Sequence, residues 1–114
     1  MEISEKLYDV NEFWKFNLRV GFIKEAVRVP KTDKLIKLTV DFGDHTRTIV
    51  AGIGDQYTPE DLNGLKTVFI LNLIPKVIRG IKSEGMIIVA EDEKTNKVYL
   101  LRVPDDTPVG AKVW

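Results

Sequence analysis

Ile36-Lys37-Leu38-Thr39-Val40-Asp41-Phe42-Gly43-Asp44-His45-Thr46-Arg47-Thr48-Ile49-Val50-Ala51 is the stretch whose reading decides the fold. Ile36, Leu38, Val40 and Phe42 alternate with Lys37, Thr39 and Asp41, the period-two pattern of a strand with one face in a core. Gly43-Asp44 supplies a turn, and residues 46–51 read as the antiparallel partner, closed by Gly52-Ile53-Gly54. Alternation is poorer in the partner, so the face taken by Arg47 stays open.

Upstream, residues 17–29 read as a long strand in which Leu18, Val20 and Phe22 alternate with Arg19, Gly21 and Ile23, the glycine permitting a bend. Val29-Pro30-Lys31-Thr32-Asp33-Lys34 ends it. Before this strand, Asp9-Val10-Asn11-Glu12 has the form of a capping box that opens a short helix, and residues 1–8 form an arm ahead of the domain. Downstream, Thr58-Pro59-Glu60-Asp61-Leu62 combines a threonine cap, proline at the first helical position and first-turn acids, with Asn63-Gly64 as the stop. Residues 67–71 form an apolar strand. Residues 86–90 and 98–101 form a hairpin across an acidic turn containing Asn96, and Pro104, Pro108 and Gly110 predict an irregular tail.

This pattern predicts five or six short strands with one short helix between the third and fourth. No helix is long enough for parallel βαβ crossovers. The fold class is therefore all-β, a five-stranded Greek-key antiparallel barrel of the OB type with short helices, spanning residues 9–114.

The 114 residues, 44% hydrophobic and 30% charged, suit one domain. With no cysteine and one histidine, disulfides, thiolate metal sites and multi-histidine metal sites are excluded. No cofactor is expected, nor a membrane partner, and the absence of an apolar start predicts a cytoplasmic protein. His45 is the only imidazole base available and sits in a turn, so the inventory for nucleophilic catalysis is nearly empty. A binding role is what remains.

Seventeen cations balance seventeen acids, but unevenly. Between Lys15 and Lys37 there are seven cations against two acids, and between Lys66 and Ser83 four against none. Residues 1–13 carry four acids and one cation, and residues 91–106 five acids and three cations. A neutral chain with a positive middle can attract a polyanion locally. The run from Asn72 to Met86 holds three cations (Lys76, Arg79, Lys82) spaced three apart, with Asn72 and Ser83 adding hydrogen-bonding groups.

Four blocks in order carry a resemblance: Phe16-Asn17-Leu18-Arg19-Val20-Gly21, Val40-Asp41-Phe42-Gly43, Arg47-Thr48-Ile49-Val50-Ala51-Gly52, and Asn72-Leu73-Ile74-Pro75 with Arg79-Gly80-Ile81-Lys82-Ser83-Glu84-Gly85-Met86. Together they resemble the tRNA-binding domain family, which includes the C-terminal domain or beta subunit of methionyl-tRNA synthetase and free-standing dimeric tRNA-binding proteins. The resemblance implies a non-catalytic, homodimeric OB domain that binds tRNA and assists an aminoacyl-tRNA synthetase. It places tRNA binding on Asn72, Lys76, Arg79, Lys82, Ser83 and Met86. The charge map and the usual binding face of an OB barrel add Lys34, Lys37 and Arg47. Asn17 and Ala51 depart from the family's Asp and Ser, which removes a carboxylate partner for Arg19. An export-related chaperone of the same fold, binding unfolded polypeptide, shares the Arg19-Val20-Gly21 and Gly80 to Glu84 regions and is the alternative.

Overall fold

The structure is a computed structural model and describes residues 5–114. In chain order its elements are α1 (Val10–Phe13), β1 (Leu18–Arg28), β2 (Ile36–Asp41), β3 (Thr46–Ala51), α2 (Pro59–Leu62), β4 (Lys66–Ile70), β5 (Lys76–Ile78), β6 (Ile81–Ser83), β7 (Met86–Ile87), β8 (Val89–Asp92), β9 (Lys97–Leu100) and β10 (Lys112–Val113). The main sheet runs β3-β2-β1-β4-β7, all antiparallel, with β10 on the edge of β1. Its two ends meet where the Glu84 amide donates to the Thr48 carbonyl at 2.8 Å. The result is a nearly closed all-β barrel of OB-like form, as the alternation at 36–42 predicts.

Cross-strand pairs share a face, so the register decides what points inward. Ile36 pairs with Ala51, Leu38 with Ile49 and Ile23 with Val40, and all six are buried. Gly21 and Arg19 lie two and four residues before Ile23, on the same inward face, and Arg19 pairs with fully buried Phe69. Gly21 is glycine for lack of room, since a Cβ there would stand 2.5 Å from Val40, 2.7 Å from Phe42 and 2.8 Å from Phe69. An extra residue at Lys24 breaks the β1–β2 register between Ile23 and Glu25, the bulge by which a long strand turns a barrel corner.

Thr58 caps α2 with a reciprocal box, Thr58 Oγ1 accepting from the Asp61 amide and Asp61 accepting from the Thr58 amide. At α1 the expected box is only half formed. Asp9 accepts from the Asn11 amide, while Glu12 turns outward to pair with Lys15 at 2.9 Å. The tail is more ordered than its prolines predict. The Val20 amide donates to the Ala111 carbonyl and the Gly110 amide to the Val20 carbonyl, which makes β10 a strand beside β1. Lys66 donates to the Asp105 and Thr107 carbonyls and ties down the approach to it. A hairpin forms across the acidic turn, but between β8 and β9, because Met86 and Ile87 of its expected first strand pair with β4 instead. Asn96 sits at positive φ in the turn, and Gln56 and Tyr57 bond the hairpin to the loop after β3. Of the expected arm, residues 1–4 lie outside the described residues, and residues 5–8 carry no helix or strand and are exposed.

Candidate nucleic-acid interface

Residues 72–86 are not a plain connection. β5 and β6 pair Lys76 with Ser83, Val77 with Lys82 and Ile78 with Ile81, leaving Arg79-Gly80 as a two-residue turn. Both turn residues have positive φ, 52° and 79°, as a type I′ hairpin requires. Asparagine or glycine fills such a first position at little cost, whereas arginine is strained there. The tip of the hairpin is thus a guanidinium held out by a disfavoured backbone.

The pairing separates the cations that spacing had grouped. Lys76 shares a face with Ser83, and Lys82 shares the opposite face with Val77. All three cations are exposed and have no ion-pair partner among the described residues. Ile74 is 94% exposed and Val77 68% exposed, and Met86 stands half-exposed opposite Ile70. Met86 was expected at the site, whereas Ile74 and Val77 were missed from sequence, although Ile78-Arg79-Gly80-Ile81, an X-Gly pair between β-branched residues, was a hairpin signal.

Ser83 does not stand on the exposed surface that its place in the cationic run implies. It is buried, its hydroxyl accepts from the Val50 amide at 2.9 Å and donates to the Gly85 carbonyl at 3.2 Å, and it closes the barrel where β3 lacks a ladder partner. Its hydroxyl is spent on the barrel itself. Ser83→Ala strands a buried amide and is expected to cost about 1–3 kcal/mol. Urea denaturation checks this, and an unchanged midpoint would remove the hydroxyl from the closure.

Arg47 also leaves the outer face. Pairing with Val40 turns it inward at the barrel end, where Nη1 donates to the Leu71 carbonyl at 2.7 Å and the Glu84 carbonyl at 3.2 Å. Those carbonyls flank the hairpin, so Arg47 clamps its root. Asn72 works beside it, accepting from the Asn17 amide at 2.7 Å and donating to the Lys15 carbonyl at 2.6 Å. Its exposed amide joins the helix end to the hairpin and keeps one donor and one acceptor over. Lys37 is half-buried on the outer face opposite Val50, whose amide Ser83 holds, and so lies near the hairpin base. Lys34 is exposed in the β1–β2 turn, where its carbonyl anchors the Gly54 amide, and no bond ties it to the hairpin. Arg19 finds its partner without a carboxylate, since Nε donates to Asn17 Oδ1 at 2.8 Å and Nη1 to the Gly110 carbonyl at 3.3 Å.

The family model of the tRNA binding domain matches residues 18–112. The chain belongs to the tRNA-binding domain family. It is 50% identical over 105 residues to the methionine–tRNA ligase of Methanocaldococcus jannaschii, covering 92% of this chain and 16% of that protein. The chain therefore spans about one sixth of the ligases it matches. Among solved structures, the MetRS related protein from Pyrococcus horikoshii superposes with a TM-score of 0.94 at 55% identity, covering 96% of this chain and 100% of that one. The chaperone CsaA from Bacillus anthracis gives 0.83 at 30% identity, with 96% and 100% covered. The tRNA-binding domain thus shares its barrel with both classes that the sequence brings to mind, and its family model and higher identities lie on the tRNA side.

Proposed function

We propose that the chain is a non-catalytic tRNA-binding module that assists methionyl-tRNA synthetase, working in the cytoplasm. The observation that carries this reading is the β5–β6 hairpin, which holds Arg79 in a left-handed conformation at its tip with Lys76 and Lys82 exposed on its two faces. Strain of this kind persists where a site needs it, and a cationic finger with no ion-pair partner among the described residues suits phosphates on both of its sides. Family membership and the likeness to a MetRS related protein supply the ligand class.

Two copies acting together complete the proposal. Leu7, Tyr8, Phe13, Trp14 and Phe16 are all exposed, and the pairing of Val113 with Leu18 sets exposed Trp114 at the same end. An open groove of about 710 Å³ runs beside Tyr8, Phe13 and Phe16 and reaches Asn72. An apolar patch of this kind marks an interface, and pairing there would set two hairpins on one symmetric body. Sedimentation of the purified chain as a monomer would reject the dimer.

The chaperone reading draws on Ile74, Val77 and Met86, which give the same finger an apolar side for an unfolded polypeptide. One titration separates the two. Total tRNA is expected to bind with an affinity that falls linearly in log salt. Arg79→Asn with Lys82→Gln keeps the turn, since asparagine favours positive φ, and is expected to lower the salt slope by about 1.5–2 and the affinity roughly tenfold. Binding of unfolded polypeptide without tRNA would reject the proposal.

A further inference from the structure

The open end of the barrel carries a second feature that the hairpin does not use. A cleft of about 440 Å³ opens there, lined chiefly by Asn17, Arg19, Phe42, Asp44, His45 and Gly110. Its volume falls in the range of small-ligand sites. It exists because β1 and β3 each turn a polar residue inward at their ends, where apolar side chains would have closed the core.

Its walls differ in chemistry. On one side Arg19 is held by Asn17 Oδ1 and the Gly110 carbonyl through Nε and Nη1, which leaves Nη2 and the Asn17 amide nitrogen as donors. On the other, Asp44 is an acceptor, bonded at 2.6 Å to His45 Nδ1. That hydrogen bond is the main reason its carboxyl sits below the usual carboxylate range, with the Arg19 charge a smaller contribution. His45 Nε2 accepts from Arg47 Nε at 3.1 Å, so the ring is fixed at both nitrogens. It stacks on Phe42 at 5.5 Å and 26°, giving an aromatic surface between the donor and acceptor walls.

A phosphate would meet Arg19 but also the Asp44 carboxylate, so a bare anion uses half of the cleft. A nucleobase uses all of it. Guanine carries two acceptors, O6 and N7, that suit an arginine, and two donor groups, N1–H and the N2 amine, that suit a carboxylate. Adenine presents a donor amine where the arginine needs an acceptor. Unstacked bases in RNA are commonly read in this way, by aromatic stacking and by their exposed edges.

We propose that this cleft takes one unpaired guanine of the bound RNA, with Arg19 toward O6 and N7, Asp44 toward N1–H and the N2 amine, and the base against His45. The assignment rests on the RNA-binding reading above. The cleft adjoins the root of the hairpin, because Leu71 lines it and Arg47 bonds His45 as well as the Leu71 and Glu84 carbonyls on either side of the hairpin. An RNA that reaches the root of the finger is therefore beside the cleft.

Guanosine monophosphate and adenosine monophosphate, titrated separately into the isotope-labelled chain to about 10 mM, test this, since one base held by two polar contacts binds near the millimolar range. Guanosine monophosphate is expected to shift the amides of Gly43, Asp44, His45 and Gly110 and to bind at least fivefold tighter than the adenosine nucleotide. Asp44→Asn, at an exposed position, is expected to erase that preference. Equal binding of the two nucleotides, no shift at these amides, or a preference unaffected by Asp44→Asn overturns the assignment. Total tRNA is titrated in parallel. tRNA binding without guanine selectivity removes the cleft and leaves the function standing, whereas a selective cleft without tRNA binding removes the function alone.

Discussion

Gly21→Ala is expected to destabilise the chain by roughly 3 kcal/mol, the upper part of the usual cost of overpacking a core. For a domain of this size that is about 10 °C in Tm. The cause is local and three-sided. A methyl group there would meet Val40, Phe42 and Phe69 at 2.5–2.8 Å, one from β2, one just beyond it and one from β4. None of the three can retreat freely, since Val40 and Phe69 are fully buried and Phe42 nearly so, packed edge-on to Phe69 at 5.6 Å. Gly52→Ala, where an added Cβ meets nothing within 4 Å, is the matched control and is expected to change Tm little. Thermal unfolding of the two variants checks the argument. A Gly21→Ala chain as stable as the control would mean that β1 does not turn this face to the core.

Legibility from sequence followed the size of the energetic signal. The alternation at 36–42 was readable because each apolar side chain there is buried, and no other register buries them all. The inward face of β1 was harder to read. It is made of Arg19, Gly21 and Ile23, and an arginine with a glycine does not look like a core face until the neighbours that crowd Gly21 are known. The tail read as irregular because its prolines and glycine dominate locally, whereas its pairing with β1 comes from contacts about ninety residues apart in the chain.

At the site, composition identified the cationic segment but not its geometry. The spacing by three says nothing of which way each cation points, and a two-residue turn after Ile78 reverses the chain and sends Lys76 and Lys82 to opposite faces. Ser83 and Arg47 misled for a common reason. A hydroxyl in a basic run and a guanidinium on the usual binding face of an OB barrel are both read as facing a ligand, and here both meet backbone groups that the barrel leaves without ladder partners. Closing this barrel with side chains is what converts residues of contact type into residues of support.

That conversion makes Arg47 the sharpest test of the hairpin's mounting. Arg47→Met keeps a long apolar stem but removes the donors to the Leu71 and Glu84 carbonyls and to His45. Hydrogen bonds from a charged donor are worth about 1.5–3 kcal/mol each before relaxation, so a loss of about 3 kcal/mol in urea denaturation is expected. Arg47→Lys is expected to recover less than half of it, because one ammonium cannot reproduce the planar fork that spans three segments. The loss has a signature that a residue touching RNA would not produce. Amide exchange at Ser83, Glu84 and Gly85 is expected to quicken in the free protein, since the hairpin root has lost its clamp. tRNA affinity falls with it, but the salt slope stays near that of the parent chain because no phosphate-neutralising cation has been removed from the finger. If instead stability and exchange are unchanged while the slope drops by about 1, Arg47 contacts the nucleic acid directly and the hairpin is held by other means.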